Sequence, residues 1–285
     1  MLFFMAVSVP VFIPSCEKSS PTGPGNGQTG ITVNTPTNKY FVSIIVINLG
    51  GLGGCGTGTV SRDSANNGTF SESINDAQVT VNSTKLDTMS GMPGSYSAMG
   101  IDVTAGTHYS LLVTRAGATI ATGAAIMPSQ PVISVPAHNS YHALNTPLAV
   151  AWSAIQYATS VAVNVVYSDT SSGTDTTLYE SDALQPTATS CTVPQTVFAA
   201  AGTYSVNVFG YYGIPPGQTN IDSTAKGYNI TGPAGLFVAA SSATDTVYVN
   251  ASGAPKIAMR TGTNRADSPR DRLLRVARKW FPRIF

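Results

Sequence analysis

Short segments in which apolar and polar residues alternate recur along most of this chain. The alternation is clear in HYSLLVTR (108–115), LAVAWS (148–153) and SVAVNVVY (160–167). A period of two places successive side chains on opposite faces of a strand, so each segment predicts a β-strand with one buried face. Turn-forming residues separate the segments, and strands of this length and spacing are typical of antiparallel sandwiches. We therefore predict an all-β fold.

The first half carries three related patterns between Asp76 and Pro131: DAQVTV, GSYSA and AGTHYSLLV. Together they resemble the immunoglobulin-like modules of bacterial cell-surface lipoproteins. The apolar run YFVSIIVIN (40–48) precedes them, and its β-branched residues favour a buried central strand. An immunoglobulin-like β-sandwich is therefore expected over residues 39–130.

The second half has Trp152, Tyr167 and Tyr204 in the order found in fibronectin type III domains, which it resembles. The resemblance implies that Trp152 fills the space between two sheets. It also implies that Tyr204, just after Gly202, donates its hydroxyl to a loop carbonyl, as a tyrosine corner does. A second antiparallel sandwich is expected over residues 131–252. Its closing strands would lie in 228–249, a stretch longer than such a domain needs.

The N-terminus has the features of an export signal. Residues 2–13 are uncharged and mostly apolar, long enough for a signal peptide and too short to span a bilayer. Ile13-Pro14-Ser15-Cys16 resembles a bacterial lipobox, which implies that residues 1–15 are removed and Cys16 is acylated. Residues 16–38 are rich in Pro, Gly, Ser and Thr and predict a flexible tether. Glu17 after the cysteine favours the outer membrane of a bacterial cell envelope; an ordinary secretory signal with an incidental cysteine stays open.

Charge is unevenly distributed along the chain. Nine of the 15 Lys and Arg residues, but only two of the 14 Asp and Glu residues, lie from Lys256 onward. Within the tail, 253–285, Ser268-Pro269-Arg270-Asp271 is a typical helix start, and the following apolar residues fall on one side. A short basic amphipathic helix is therefore predicted, suited to an anionic membrane surface or an acidic partner. The candidate contacts are Arg272, Arg275, Arg278, Lys279 and Trp280. A solvated tail and a non-native reading-frame end are the alternatives.

Gly51-Leu52-Gly53-Gly54-Cys55-Gly56 has the G-x-G-x-x-G spacing of dinucleotide-binding folds. That site needs a helix immediately afterwards, so that backbone amides face the phosphates. The sequence that follows has no helical period. We therefore reject nucleotide binding and interpret the segment as a flexible hairpin loop.

Other chemical signals are weak. His138 and His142 have a helical metal-ligand spacing but stand beside prolines in an expected interdomain loop, so we interpret them as surface or linker residues. The acidic hairpin 168–182 is conceivable for calcium but is better explained as a solvated loop. A disulfide between Cys55 and Cys191 stays open, and Cys191 also fits a small buried side chain.

The chain lacks a nucleophile elbow and paired carboxylates, so we predict no catalytic residue, no metal and no cofactor, and expect no nucleic-acid partner. The expected function is a non-catalytic binding or adhesion module for a protein or glycan ligand. Its candidate loops are 50–67, 168–182 and 211–220, with Tyr211 and Tyr212 as exposed ligand-binding side chains. The alternatives are an accessory component of a secreted enzyme system, a cryptic hydrolase and a passive envelope structural protein.

Overall fold

A computed structural model describes residues 30–48, 50, 53–169, 174–215 and 226–254. In these ranges the regular structure is almost entirely β-strand, with a 3₁₀ turn at Gln195–Phe198. The first nine strands are β1 Val33–Asn34, β2 Tyr40–Asn48, β3 Gly54–Arg62, β4 Glu72–Ser73, β5 Gln78–Val81, β6 Thr84–Thr88, β7 Ser95–Ile101, β8 His108–Arg115 and β9 Ala118–Ile126. They are followed by β10 Ile133–Val135, β11 Ser140–Ala143, β12 Leu148–Trp152, β13 Ser160–Asp169, β14 Thr174–Glu180, β15 Ser190–Val193, β16 Gly202–Tyr212, β17 Gly227–Tyr228, β18 Ile230–Thr231 and β19 Ala234–Asn250. The all-β prediction is confirmed.

The long strand β19 joins the two halves of the molecule. Residues 234–241 pair in parallel with β2, and residues 239–249 pair antiparallel with β16. Its last four residues also pair in parallel with β11. At about 3.3 Å per residue, this 17-residue strand is roughly 55 Å long. The closing segment is longer than one domain needs because it serves both halves.

A central sheet runs β14-β13-β16-β19-β2-β3-β7. Strand β6 then turns a corner, because Asp87 and Thr88 pair with β7 while residues 84–86 pair with β5. The chain continues into a second layer, β5-β8-β9-β18. A separate three-stranded sheet, β10-β12-β15, belongs to the second half.

Alternate residues of β19 contribute to two hydrophobic cores on the same face of the central sheet. Phe237 and Ala239 lie in the first core, and Val247 and Val249 lie in the second. The pairing of β19 with β16 has no register shift, so these four residues keep the same side. The first core includes Val42, Ile44, Val46, Val79, Leu111 and Val113. The two-domain count and the boundaries at 130 and 252 stay predictions.

Strand β3 corrects one expectation. Residues 54–62, interpreted as part of a hairpin loop, form a largely buried strand between β2 and β7. Gly58 allows this close packing, because a methyl group there would overlap the backbone oxygen of Ser43 and lie 2.8 Å from Ile44 Cα. The glycine motif therefore runs into a strand. A dinucleotide site would need a helix at this point, so that backbone amides face the phosphates.

The predicted aromatic features of the second half are confirmed. Trp152 is buried in the second core, and its indole Nε1 donates to the carbonyl of Ala188 at 3.0 Å. The Tyr204 hydroxyl donates to the carbonyl of Ala200 at 2.8 Å. Tyr167 packs against Tyr204 with ring centroids 5.1 Å apart.

Several predictions lie outside the described residues. They are the signal peptide, Cys16, residues 16–29 of the tether, and the helical tail with Arg272, Arg275, Arg278, Lys279 and Trp280. In the described ranges no helix is long and apolar enough to cross a membrane.

Candidate functional site: the open sheet face

The face of the central sheet opposite the second core carries polar side chains. Alternation sets this arrangement, since buried valines of β13, β16 and β19 face the core and the residues between them face outward. All but Asn164 are half-buried or exposed. The open sheet face is defined by Tyr141, Asn164, Val166, Ser168, Asp175, Thr177, Glu180, Thr203, Ser205, Asn207, Thr244, Thr246 and Tyr248.

A ladder of side-chain hydrogen bonds crosses three strands of this face. Asn164, Asn207 and Thr244 stand opposite one another in the register of β13, β16 and β19. Asn207 Nδ2 donates to Asn164 Oδ1 at 2.7 Å, and Thr244 Oγ1 donates to Asn207 Oδ1 at 2.6 Å. An amide offers two donor hydrogens and two acceptor sites, so the ladder fixes these groups and leaves capacity for a ligand.

A tyrosine pair lies on the same face, four residues or about 13 Å along β19 from Thr244. The parallel pairing of β11 with β19 sets Tyr141 opposite Tyr248, with ring centroids 5.4 Å apart and ring planes 37° apart. Both side chains are half-buried. They provide an aromatic surface beside the polar groups, and a tyrosine supplies a large rigid contact area as well as a hydroxyl.

The other border of the face is acidic. Asp175 of β14 accepts a hydrogen bond from Ser168 Oγ at 2.8 Å. Glu180 of β14 is also exposed and stands opposite Asn164, so a second carboxylate lies beside the ladder. The residues that define the face include no Lys, Arg or His. In the described ranges no group of three or more His, Cys, Asp or Glu side chains is arranged to hold a metal ion.

The predicted ligand-binding tyrosines occupy different surroundings. Tyr211 is fully buried and its ring stacks on Phe209, with centroids 6.0 Å apart. Burial raises the pKa of Tyr211 well above its usual value. The expectation that Tyr211 is exposed was therefore wrong. Strand β16 continues through this residue, and its ring is buried in an apolar cluster with Ala162 and Ala240 on the face of the sheet opposite the two large cores. Tyr212 is half-buried and packs against the first core. A ligand-binding role for the rest of the 211–220 loop stays a prediction, since 216–220 lie outside the described residues.

The two histidines have separate partners. His138 Nδ1 lies 2.8 Å from Asp245 Oδ1, whereas His142 Nε2 lies 3.0 Å from the carbonyl of Thr146. The His142 ring also contacts the edge of Phe198, with centroids 4.9 Å apart. His142 belongs to strand β11, so the expected interdomain loop is partly a strand.

The open sheet face was missed at the level of sequence. The alternation identified β13 and β16, and it implied that Asn164 and Asn207 face away from the core. Nothing local indicated that their strands are neighbours, or that Tyr141 and Tyr248 meet across β11 and β19. Those contacts come from pairings between distant parts of the chain.

No family model matches this chain. No curated protein matches it either. Solved structures with some similarity are fibronectin type III and immunoglobulin domains.

The fibronectin(III)-like modules of CbhA from Clostridium thermocellum are 11% identical over 81% of this chain and 100% of theirs, with a TM-score of 0.25. The FN1-FN3 domains of chicken CNTN1 are 10% identical over 77% of this chain and 66% of theirs, with a TM-score of 0.23. The four N-terminal Ig domains of Dscam1 isoform 6.9 are 10% identical over 74% of this chain and 51% of theirs, with a TM-score of 0.22. Likenesses of this size identify no family.

Proposed function

We propose that this protein is a membrane-anchored envelope lipoprotein that binds a glycan on its open sheet face without catalysing a reaction. The observation that carries the proposal is the hydrogen-bonded ladder Asn164–Asn207–Thr244 beside the pair Tyr141–Tyr248. Such a face offers two kinds of contact together. Amides and hydroxyls match the hydroxyls of a sugar, and tyrosine rings match its apolar ring faces.

The shape of the face favours an extended ligand. Five adjacent strands, from β14 to β11, contribute to it, and at about 4.8 Å between strands it is roughly 19 Å wide. The residues that define the face offer no cation to pair with an acidic ligand, and its carboxylates, Asp175 and Glu180, would repel one. The residues that define the face hold two carboxylates, Asp175 and Glu180, and no histidine, so the Ser168 hydroxyl that donates to Asp175 has no imidazole base beside it on this face. These features support binding of a neutral polymer.

Anchoring and location are the second part of the proposal. The apolar run 2–13, the lipobox-like Ile13-Pro14-Ser15-Cys16 and the polar tether support acylation of Cys16 and attachment to the outer membrane. Metabolic labelling with radioactive palmitate tests this directly. The full chain is expected to take up label and sediment with membranes, and Cys16→Ser is expected to do neither. Equal labelling of both chains would contradict lipidation at Cys16.

The glycan assignment is tested with the full chain carrying Cys16→Ser, by co-sedimentation with a panel of insoluble polysaccharides. Tyr248→Ala and Asn207→Ala are each expected to weaken binding about tenfold or more, since a central interface side chain contributes over ~1 kcal/mol. Tyr157→Ala is the matched control, because Tyr157 is 52% exposed and lies off this face. Binding to no polysaccharide, or equal losses in all three variants, would overturn the assignment.

A further inference from the structure

The open sheet face is not level, because its side chains differ in length. One line across it holds only short side chains of Ser, Thr and Val, which end at their γ atoms. Strand pairing sets these residues side by side on β19, β16, β13 and β14. We call this line the sheet trough, and it consists of Thr246, Ser205, Val166 and Thr177.

The hydrogen-bonded ladder forms one side of the sheet trough. Asn207 and Asn164 stand two residues, or about 6.6 Å, along their strands from Ser205 and Val166. The hydrogen bond between the two amides holds this side in place, and Glu180, opposite Asn164, extends it onto β14. Amides and a carboxylate in one line present both donors and acceptors to the edge of a molecule in the trough.

The opposite side of the trough is high only at its ends. Tyr248 stands at the β19 end, where its ring packs against that of Tyr141. Asp175 stands at the β14 end, and Thr203 and Ser168 between them are as short as the floor. The trough therefore has a polar side along its length and an aromatic ring at one end.

Solvent reaches the floor of the trough. Thr246, Ser205 and Val166 are half-buried, and Thr177 is exposed. A shallow concave surface with a few polar groups directed at one line is the usual form of a ligand site. The floor crosses four strands, so it is about 14 Å long.

We propose that a linear, unbranched, neutral glycan lies in the sheet trough and crosses the strands. This inference rests on the proposed function and adds the direction of the sugar chain and the class of glycan. Across the strands, one edge of the chain stays on the ladder while its end meets Tyr248. A chain along β16 would instead rise from Ser205 over Asn207 and leave Tyr248 on the neighbouring strand.

The ladder side sets the class of glycan. A sugar chain whose edge is bare brings its hydroxyls to Asn207 and Asn164, and these amides have donor and acceptor capacity left. A branch on that edge would hold the backbone away from the ladder and leave the polar groups of both partners without direct contact. Exposed Glu180 on the same side disfavours an acidic chain.

Leucine substitutions along the floor test the direction, each in the full chain carrying Cys16→Ser. Thr246→Leu, Ser205→Leu and Thr177→Leu raise the floor on three different strands without adding a flat ring or a hydrogen bond. A glycan that crosses the strands meets all three positions, so each variant is expected to bind about tenfold or more weakly. Thr122→Leu is the matched control, because Thr122 is exposed on β9 of the second layer.

The probes are soluble cello-, manno- and chito-oligosaccharides, and isothermal titration calorimetry measures their dissociation constants. Branched fragments of xyloglucan and galactomannan carry the cellulose and mannan backbones with side sugars. The Cys16→Ser chain is expected to bind an unbranched probe at least about tenfold more tightly than its branched counterpart. This comparison needs no substitution in the trough, so it does not depend on how the leucine variants fold.

The outcomes separate this inference from the proposed function. Binding to none of the probes would overturn both. Unbranched probes that Tyr248→Ala and Asn207→Ala weaken, but that Thr246→Leu and Thr177→Leu bind normally, would leave the proposed function standing and refute the direction. A loss confined to Ser205→Leu would assign the chain to a path along β16. Equal affinity for branched and unbranched probes would refute the class of glycan.

Discussion

Replacing Gly58 by alanine tests the close packing of strands β2 and β3. The new methyl group would meet backbone atoms, the oxygen of Ser43 and the Cα of Ile44. Backbone atoms in the middle of a paired strand cannot rotate away. The two strands must therefore separate locally, which strains the hydrogen bonds around the Gly58–Ile44 pair.

Gly56→Ala is the matched comparison, because it makes the same change two residues away on the same face of the same strand. There the new methyl would meet the terminal Cδ1 of Ile101 at 2.6 Å and Cδ1 of Leu86 at 3.5 Å. The ends of flexible side chains give way at little cost.

The expected magnitudes follow from these contacts. Overpacking costs about 1–3 kcal/mol, and each weakened hydrogen bond adds ~1 kcal/mol. Replacing a strand glycine by alanine also stabilises the fold by about 0.5–1 kcal/mol, because the unfolded chain has less backbone entropy to lose. Gly58→Ala is therefore expected to lose ~3 kcal/mol of unfolding free energy, and Gly56→Ala less than ~1 kcal/mol.

Urea unfolding followed by circular dichroism measures the difference. With a slope of about 3 kcal/mol per molar urea, the midpoint of Gly58→Ala is expected to fall by ~1 M and that of Gly56→Ala by under ~0.3 M. Equal midpoints for the two variants would refute the close-approach account of this glycine-rich strand.

Two further predictions concern buried hydroxyl and thiol groups. Tyr204→Phe removes the hydroxyl that donates to the Ala200 carbonyl, and we expect it to lower the free energy of unfolding in urea by about 1–2 kcal/mol. Tyr157 is exposed, so Tyr157→Phe is the control and is expected to leave this free energy unchanged. Burial raises the pKa of the Cys55 thiol from 9.0 to about 12, so above pH 9 the unfolded chain loses this proton while the folded chain keeps it. Stability is therefore unaffected by this group below pH 9 and falls by up to ~1.4 kcal/mol per pH unit above it. Cys55→Ala is expected to flatten the decline between pH 9 and 10, and an unchanged slope would contradict the assignment.

Sequence was sufficient where each strand has one buried face. In β8 and β12 the alternation matches the observed burial. The Tyr204 hydrogen bond was also predictable, because a turn glycine and a tyrosine two residues later act locally.

Sequence was insufficient where a strand is buried on both faces or packed unusually closely. Residues 234–241 are buried throughout, so they show no alternation that marks their two roles. Glycine has a low strand propensity, so the glycines of β3 do not predict a strand. They are needed there because the neighbouring strands lie too close to leave room for a side chain. The burial of Tyr211 and the meeting of Tyr141 with Tyr248 depend on β19 as well, which no local pattern encodes.

The parallel pairing of β2 with β19 sets the order in which this protein folds. Phe41 meets Ala234, about 190 residues further along the chain, so closing this contact orders a very long loop. A chain that emerges from a ribosome or a translocation pore, N-terminus first, presents residues 40–48 long before their partner arrives. One edge of that strongly apolar strand can pair with β3, which follows directly, but its other edge stays unpaired until β19 is made and is prone to aggregation. We infer that the N-terminal core is completed only after residues 234–241 have emerged, because Phe237 and Ala239 belong to it.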